Sequence, residues 1–207
     1  MGFRICILNL IKMEIILSKE RVDVQECDVL VVGFFSDERP LKGSCGWVDW
    51  RFNGMLSQLL MENKLTGDWM ETTLMPSQER ILPRMILLLG LGEVKRYCYL
   101  RLRELASYLL KTLRKLGWIN VCLSFPYGES YHVDCRKIME SLIEGISDEL
   151  KQQEPSLEEG WSRRLRLFFA EGEEVFPEML SGAQAAKSIL GRQIQIEISV
   201  PSETSYS

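Results

Sequence analysis

The chain has 207 residues, 46% of them apolar and 26% charged, a balance that suits one full globular domain with its own hydrophobic core and excludes a fibrous or disordered protein. Its 25 basic side chains against 29 acidic ones give a net charge of -4, so no global positive field draws in a polyanion and a nucleic-acid partner is not expected. The longest apolar run, residues 85–91, falls far short of the roughly 20 residues of a membrane-crossing helix, so no membrane role is expected.

Short aliphatic runs alternate with long amphipathic segments, as in a sheet covered by helices. Residues 1–12 read as an N-terminal extension with no cleavable export signal, and Met13 opens the first clean strand, Glu14-Ile15-Ile16-Leu17, and is the expected native start. Residues 28–35 form a near-continuous apolar run, the pattern of a central strand buried on both faces. Val48, Phe52, Met55, Leu56, Leu59 and Leu60 lay one apolar stripe along a helix, weakened by Gly54. Residues 68–75 predict a strand stopped by Pro76, and residues 85–89 a second buried strand ending in Gly90-Leu91-Gly92. Leu102, Leu105, Ala106, Leu109, Leu110, Leu113 and Leu116 mark the strongest helix, with Gly117 as its C-cap and basic residues on its solvated faces. A strand over 120–125, a helix over 135–150 and an acidic linker over 152–160 follow. Residues 164–169 alternate Arg and apolar side chains, which suits an edge strand with one wet face; a helix over 173–190 then leads to the alternating strand 193–198 and a polar tail. The order predicts a three-layer α/β/α domain with a mixed, mostly parallel central sheet, one domain over 13–190 followed by an extra strand and tail over 191–207.

The six cysteines, Cys6, Cys27, Cys45, Cys98, Cys122 and Cys135, make no C-x-x-C pair, which excludes a zinc knuckle. A chain with a full core needs no disulfide staples, so the thiols are expected reduced and the protein cytoplasmic. His132, the only histidine, precedes a helix and lacks the flanking motif of a catalytic triad, so it reads as a surface or capping residue. Glu158, Glu159, Glu171, Glu173 and Glu174 lie in segments that look exposed, where acids usually complement a helix dipole rather than hold a metal. No catalytic residue, metal or cofactor is therefore expected. Three glycine-containing connections could let backbone N–H groups converge on an anion: Gly43-Ser44-Cys45-Gly46 just before the first helix, Gly90-Leu91-Gly92, and Pro126-Tyr127-Gly128. The latter two follow strands, at the carboxyl ends where α/β folds bind ligands.

Several of these segments resemble the amino-terminal domain of the leucyl (cytosol) aminopeptidases. They are Cys27-Asp28-Val29-Leu30-Val31-Val32-Gly33, Val48-Asp49-Trp50 through Gly54-Met55-Leu56, Gly67-Asp68 with Glu71-Thr72, the run from Arg84 to Gly92-Glu93, and Val121 to Pro126. The helix from Ser181 to Leu190 is similar to the linker that leads into that family's catalytic domain. The resemblance implies a macro-domain-like fold. The family's metal-binding motifs lie in the catalytic domain and do not occur in this sequence, so the resemblance implies a non-catalytic relative that acts through protein contacts, with itself or with a separately encoded peptidase catalytic domain. The segment from Asp28 to Asp49 also resembles a degenerate macro-domain pattern, with Gly33 and Phe35 where that pattern has Asn and no acidic residue for adenine evident near Ser18-Lys19-Glu20. This second likeness implies an alternative role, binding ADP-ribose or another phosphorylated nucleotide through Gly43, Ser44, Cys45, Gly46, Tyr127 and Gly128.

Overall fold

A computed structural model describes residues 11–152, 160–191 and 194–201. Seven strands form one sheet: β1 (Ile11–Ser18), β2 (Val29–Phe34), β3 (Thr72–Pro76), β4 (Met85–Gly90), β5 (Asn120–Ser124), β6 (Arg166–Ala170) and β7 (Ile194–Ser199), in spatial order β3-β4-β2-β5-β6-β1-β7. Every pairing is parallel except β3 with β4. The helices that cover it are α1 (Gly43–Arg51), α2 (Met55–Met61), α3 (Tyr99–Leu116), α4 (Cys135–Gln152) and α5 (Phe176–Leu190).

Strand alternation sorts the apolar side chains into two cores. Val29, Val31, Leu87, Leu89, Val121 and Leu123 point to the face covered by α3, α4 and α5. Leu30, Val32, Ile86, Leu88, Cys122 and Phe168 point to the face covered by α1 and α2. The result is the expected three-layer α/β/α arrangement, with β2 fully buried in the sheet interior between β4 and β5. The helix layer is drawn tight by glycines: a Cβ on Gly145 of α4 would overlap the Arg103 carbonyl of α3 and meet the Ala106 Cβ at 2.8 Å.

The structure corrects several local readings. Residues 48–60 are two helices, because Asn53 and Gly54 take left-handed backbone angles (φ 55° and 79°) and the Asp49 carboxylate accepts the opening N–H groups of Leu56 and Ser57 at 2.8 and 3.1 Å. The predicted strand 68–75 begins only at Thr72. Residues 67–71 form a tight loop in which the Glu71 carboxylate accepts hydrogen bonds from the Thr66 and Gly67 N–H groups. β6 is not an edge strand: it lies between β5 and β1, and beyond Arg166 all of its side chains are buried. The edges are β3 and β7, and the alternating pattern of a half-wet strand belongs to β7, with Gln195 and Glu197 exposed and Ile194 and Ile196 buried. Ile11 and Lys12, assigned by sequence to the extension, are the first residues of β1, and Lys12 is ion-paired to Glu197 at 2.8 Å. Residues 1–10, Glu158, Glu159 and the tail beyond Pro201 lie outside the described residues. Among the described residues no helix is long and apolar enough to cross a membrane.

Candidate functional site

Because β1, β5 and β6 are parallel neighbours, the segments leaving their carboxyl ends emerge side by side. Together with the first turns of α1 they enclose a cleft of about 290 Å3. Its floor is Glu171, the residue after β6, beside Phe125 and Tyr127 from the segment after β5. Withdrawal from water pushes the Glu171 carboxyl up to about 8, partly countered by a hydrogen bond with Ser124, so the acid is largely protonated at neutral pH. The hydroxyls of Ser124 and of Ser44 on α1 are hydrogen-bonded at 2.6 Å. A polar chain thus links the cleft floor to the helix.

The wall is built from Arg21 and Trp47. The Arg21 guanidinium lies 4.5 Å from the indole centroid of Trp47, which meets Trp50 edge-on at 5.9 Å. Buried Asp23 fixes this wall, accepting from Arg51 Nε and Nη2 at 3.1 and 2.7 Å and from Arg21 at 3.3 Å. With Glu171 neutral, the cleft lining carries one guanidinium, Arg21, against one carboxylate, Asp23, and Arg51, outside the lining, also pairs with Asp23. Both indoles are solvent-accessible, Trp47 46% and Trp50 64% exposed.

The glycine-containing connections contribute unequally. Gly43 and Ser44 line the cleft, but they form the first turn of α1 rather than a loop ahead of it, so their N–H groups, with that of Cys45, have no intrahelical partner and sit at the positive end of the dipole. Cys45 points the other way: its thiol is buried, and burial pushes it up to about 12, so it is an inert core residue. Gly46 is required by packing, since a Cβ would meet the Leu41 carbonyl oxygen at 2.6 Å. Tyr127 lines the cleft, whereas Gly128 spends its N–H on the Val133 carbonyl at 2.7 Å and borders a separate, shallow opening. Gly90-Leu91-Gly92 cradles no anion, because the Leu91 and Gly92 N–H groups donate to Phe34 and Gly67. Gly33 abuts Leu91 and Phe125, and buried Phe35 is ringed by Tyr97 and Tyr131, so the two positions where a macro-domain pattern has Asn are apolar here.

Sequence reasoning missed Arg21, Trp47 and Glu171, and it placed Glu171 in an exposed segment. Glu171 follows a buried strand at its carboxyl end, the same positional rule that singled out Tyr127. His132 is exposed at the end of a short turn in left-handed backbone, φ 54°. Among the described residues no three ligating side chains gather for a metal ion.

The sequence pattern of the cytosol aminopeptidase family, N-terminal domain, matches residues 31–153, more than half of the chain. The chain belongs to this family. A probable cytosol aminopeptidase of a Sulfurihydrogenibium species is 27% identical over 135 residues, covering 64% of this chain and 27% of the relative. This aminopeptidase N-terminal domain thus spans about a quarter of the length of the curated relatives it matches. Among solved structures it is similar to a tomato leucine aminopeptidase mutant (TM-score 0.57, 16% identity, 89% of this chain and 38% of that one). It is also similar to a Trypanosoma brucei macrodomain in complex with ADP-ribose (TM-score 0.60, 16% identity, 79% and 67%). The macro-domain-like fold expected from sequence is therefore present.

Proposed function

We propose that this aminopeptidase N-terminal domain is a non-catalytic cytoplasmic binding module, and that its cleft takes a phosphorylated nucleotide of the ADP-ribose class. The observation that carries this reading is the joining of three features in one cleft: the unpaired N–H groups of the α1 first turn, the Arg21 guanidinium, and the aromatic side chains of Trp47 and Tyr127. Helix N–H groups and a guanidinium suit phosphate oxygens, and an indole or phenol face suits a base. The protonated Glu171 adds a neutral donor at the floor without repelling an anion. The Trypanosoma macrodomain, solved with ADP-ribose, lends the reading support through its fold.

The test is thermal unfolding with and without millimolar ADP-ribose. A ligand at one hundred times its Kd stabilises by about 2.7 kcal/mol, which raises Tm by about 5–10 °C in a chain of this size. The shift should vanish in Arg21→Ala and in Trp47→Ala. Unchanged Tm and unchanged tryptophan fluorescence at millimolar ligand would overturn the nucleotide reading.

A second reading rests on the same wall seen from outside. Exposed Trp47 and Trp50 are large aromatic side chains of the kind that anchor protein interfaces, and they suit docking to a peptidase catalytic domain or to a second copy of the chain. Loss of co-purification with such a partner in Trp50→Ala, with ADP-ribose binding absent throughout, would favour it.

A further inference from the structure

The opposite end of the sheet carries a row of polar side chains that the nucleotide cleft does not use. β2 pairs with β4 and with β5, and β5 with β6, all in parallel, with Val29 opposite both Met85 and Val121 and with Asn120 opposite Arg166. One step back along the strands, Arg84, Asp28, Asn120 and Arg166 therefore stand side by side across the sheet. Backbone bonds hold this register: Met85 N–H donates to the Asp28 carbonyl at 3.1 Å, and Asp28 N–H to the Asn120 carbonyl at 2.9 Å. The residues two further along, Ile86, Leu30, Cys122 and Phe168, all belong to the core under α1 and α2, so strand alternation directs the row to that same face. There it lies open. Arg84 and Arg166 are exposed, and the row borders a cleft of about 420 Å3 to which Phe168 and Leu82 add apolar surface, a size that suits a small molecule.

Asn120 holds two members of the row in place: its N–H donates to the Asp28 carboxylate at 3.0 Å, and its side-chain oxygen accepts from Arg166 Nε at 2.8 Å. Arg84 and Asp28 lie on neighbouring strands, one spacing of ~4.8 Å apart along the row, yet they form no ion pair. The Arg84 guanidinium and the carboxylate of Glu26 in the same cleft have no partner among the described residues. Two guanidinium groups, Arg84 and Arg166, face two carboxylates, Glu26 and Asp28, so the cleft as a whole is neutral and favours neither a simple anion nor a simple cation. We infer that this cleft is a binding site for a free apolar α-amino acid in its zwitterionic form. Such a ligand carries a carboxylate and an ammonium on one carbon, and the two fit a guanidinium and a carboxylate one strand apart. Arg84 donates paired N–H groups to the ligand carboxylate, Asp28 through its remaining oxygen and Glu26 accept from the ammonium, and the apolar side chain lies on Phe168 and Leu82. This inference is independent of the nucleotide reading, since the two clefts share no lining residue.

The experiment titrates the full chain with L-leucine by saturation-transfer NMR, and repeats the titration with leucinamide, which lacks the carboxylate, and with isocaproate, which lacks the ammonium. Leucine should bind saturably in the millimolar range, and each truncated compound about tenfold or more weakly, the cost of one lost charge-assisted contact. Arg84→Gln removes a guanidinium that holds nothing else in the fold, so urea unfolding of this variant should match the parent while its leucine affinity falls by a similar factor. Added ADP-ribose should leave leucine binding unchanged. The inference is overturned if leucine shows no saturable binding, if folded Arg84→Gln binds it as tightly as the parent does, or if leucinamide or isocaproate matches leucine. Displacement of leucine by ADP-ribose would equally overturn it, by placing both ligands in one cleft.

Discussion

Glu171 makes the stability of this domain depend on pH in a direction opposite to that of most carboxylates. Its folded value of about 8 lies above the ordinary 4.5 because the neutral acid is favoured at the cleft floor. Below pH 4.5 both folded and unfolded chains hold the proton and no penalty exists. Between 4.5 and 8 the unfolded chain releases a proton that the folded chain keeps, so folding stability falls as pH rises, and above 8 the loss is complete. At ~1.4 kcal/mol for each unit of separation, the full effect would approach about 5 kcal/mol. Water reaching the carboxyl from the cleft relieves part of this, and we expect about 2 kcal/mol between pH 5 and pH 8.5. Glu171→Gln keeps the shape and hydrogen-bonding capacity but cannot ionise. Urea unfolding of both proteins across that range, with stability taken as the difference between them so that other titrations cancel, should show near equality at pH 5 and a more stable Gln variant at pH 8.5. A difference that stays flat with pH would refute the assignment of a neutral, desolvated acid to the cleft.

Two further predictions concern the scaffold that holds the cleft. Gly145→Ala gains helix propensity of up to ~1 kcal/mol but drives a methyl group into the Arg103 carbonyl of α3, so we expect a net destabilisation of about 2 kcal/mol by urea unfolding. A stabilised variant would show that α3 and α4 are not in backbone contact. Asp49→Ala leaves the Leu56 and Ser57 N–H groups at the start of α2 without their acceptor, at a cost of about 1–2 kcal/mol, while Asp49→Asn should retain more than half of that.

Buried strands were the most legible part of the sequence, because each end of the argument is local: residues 29–35 and 85–89 carry no polar side chain, and a strand wet on neither face needs nothing else. The long helices α3 and α4 were legible for the same reason, through their periodic leucines and isoleucines. Position within the sheet was not. Arg164 and Arg166 made β6 look like an edge strand, yet Arg166 stands at the very start of the strand, where its guanidinium donates to the Asn120 side chain at 2.8 Å, and the four residues after it are buried. The pattern of a single strand does not report which other strands arrive beside it.

The candidate site divides along the same line. A glycine advertises backbone freedom, but whether its N–H is available depends on which carbonyl lies across from it in the fold. Gly92 and Gly128 spend theirs on Gly67 and Val133, partners 25 and five residues away in the chain, while the first turn of α1 keeps its own only because a helix leaves its first N–H groups unpaired. The groups that give the cleft its chemistry are brought from three separate places. Arg21 comes from the end of β1, Trp47 from α1 and Glu171 from the end of β6, and each taken alone is an ordinary basic, aromatic or acidic residue. Asp23 turns the first two into a wall by tying Arg21 and Arg51 to one buried carboxylate, and burial of Glu171 turns an acid into a neutral donor. Both effects belong to the tertiary structure: the sequence supplies the side chains, and the parallel order of β5, β6 and β1 creates the charge state and the geometry in which they act together.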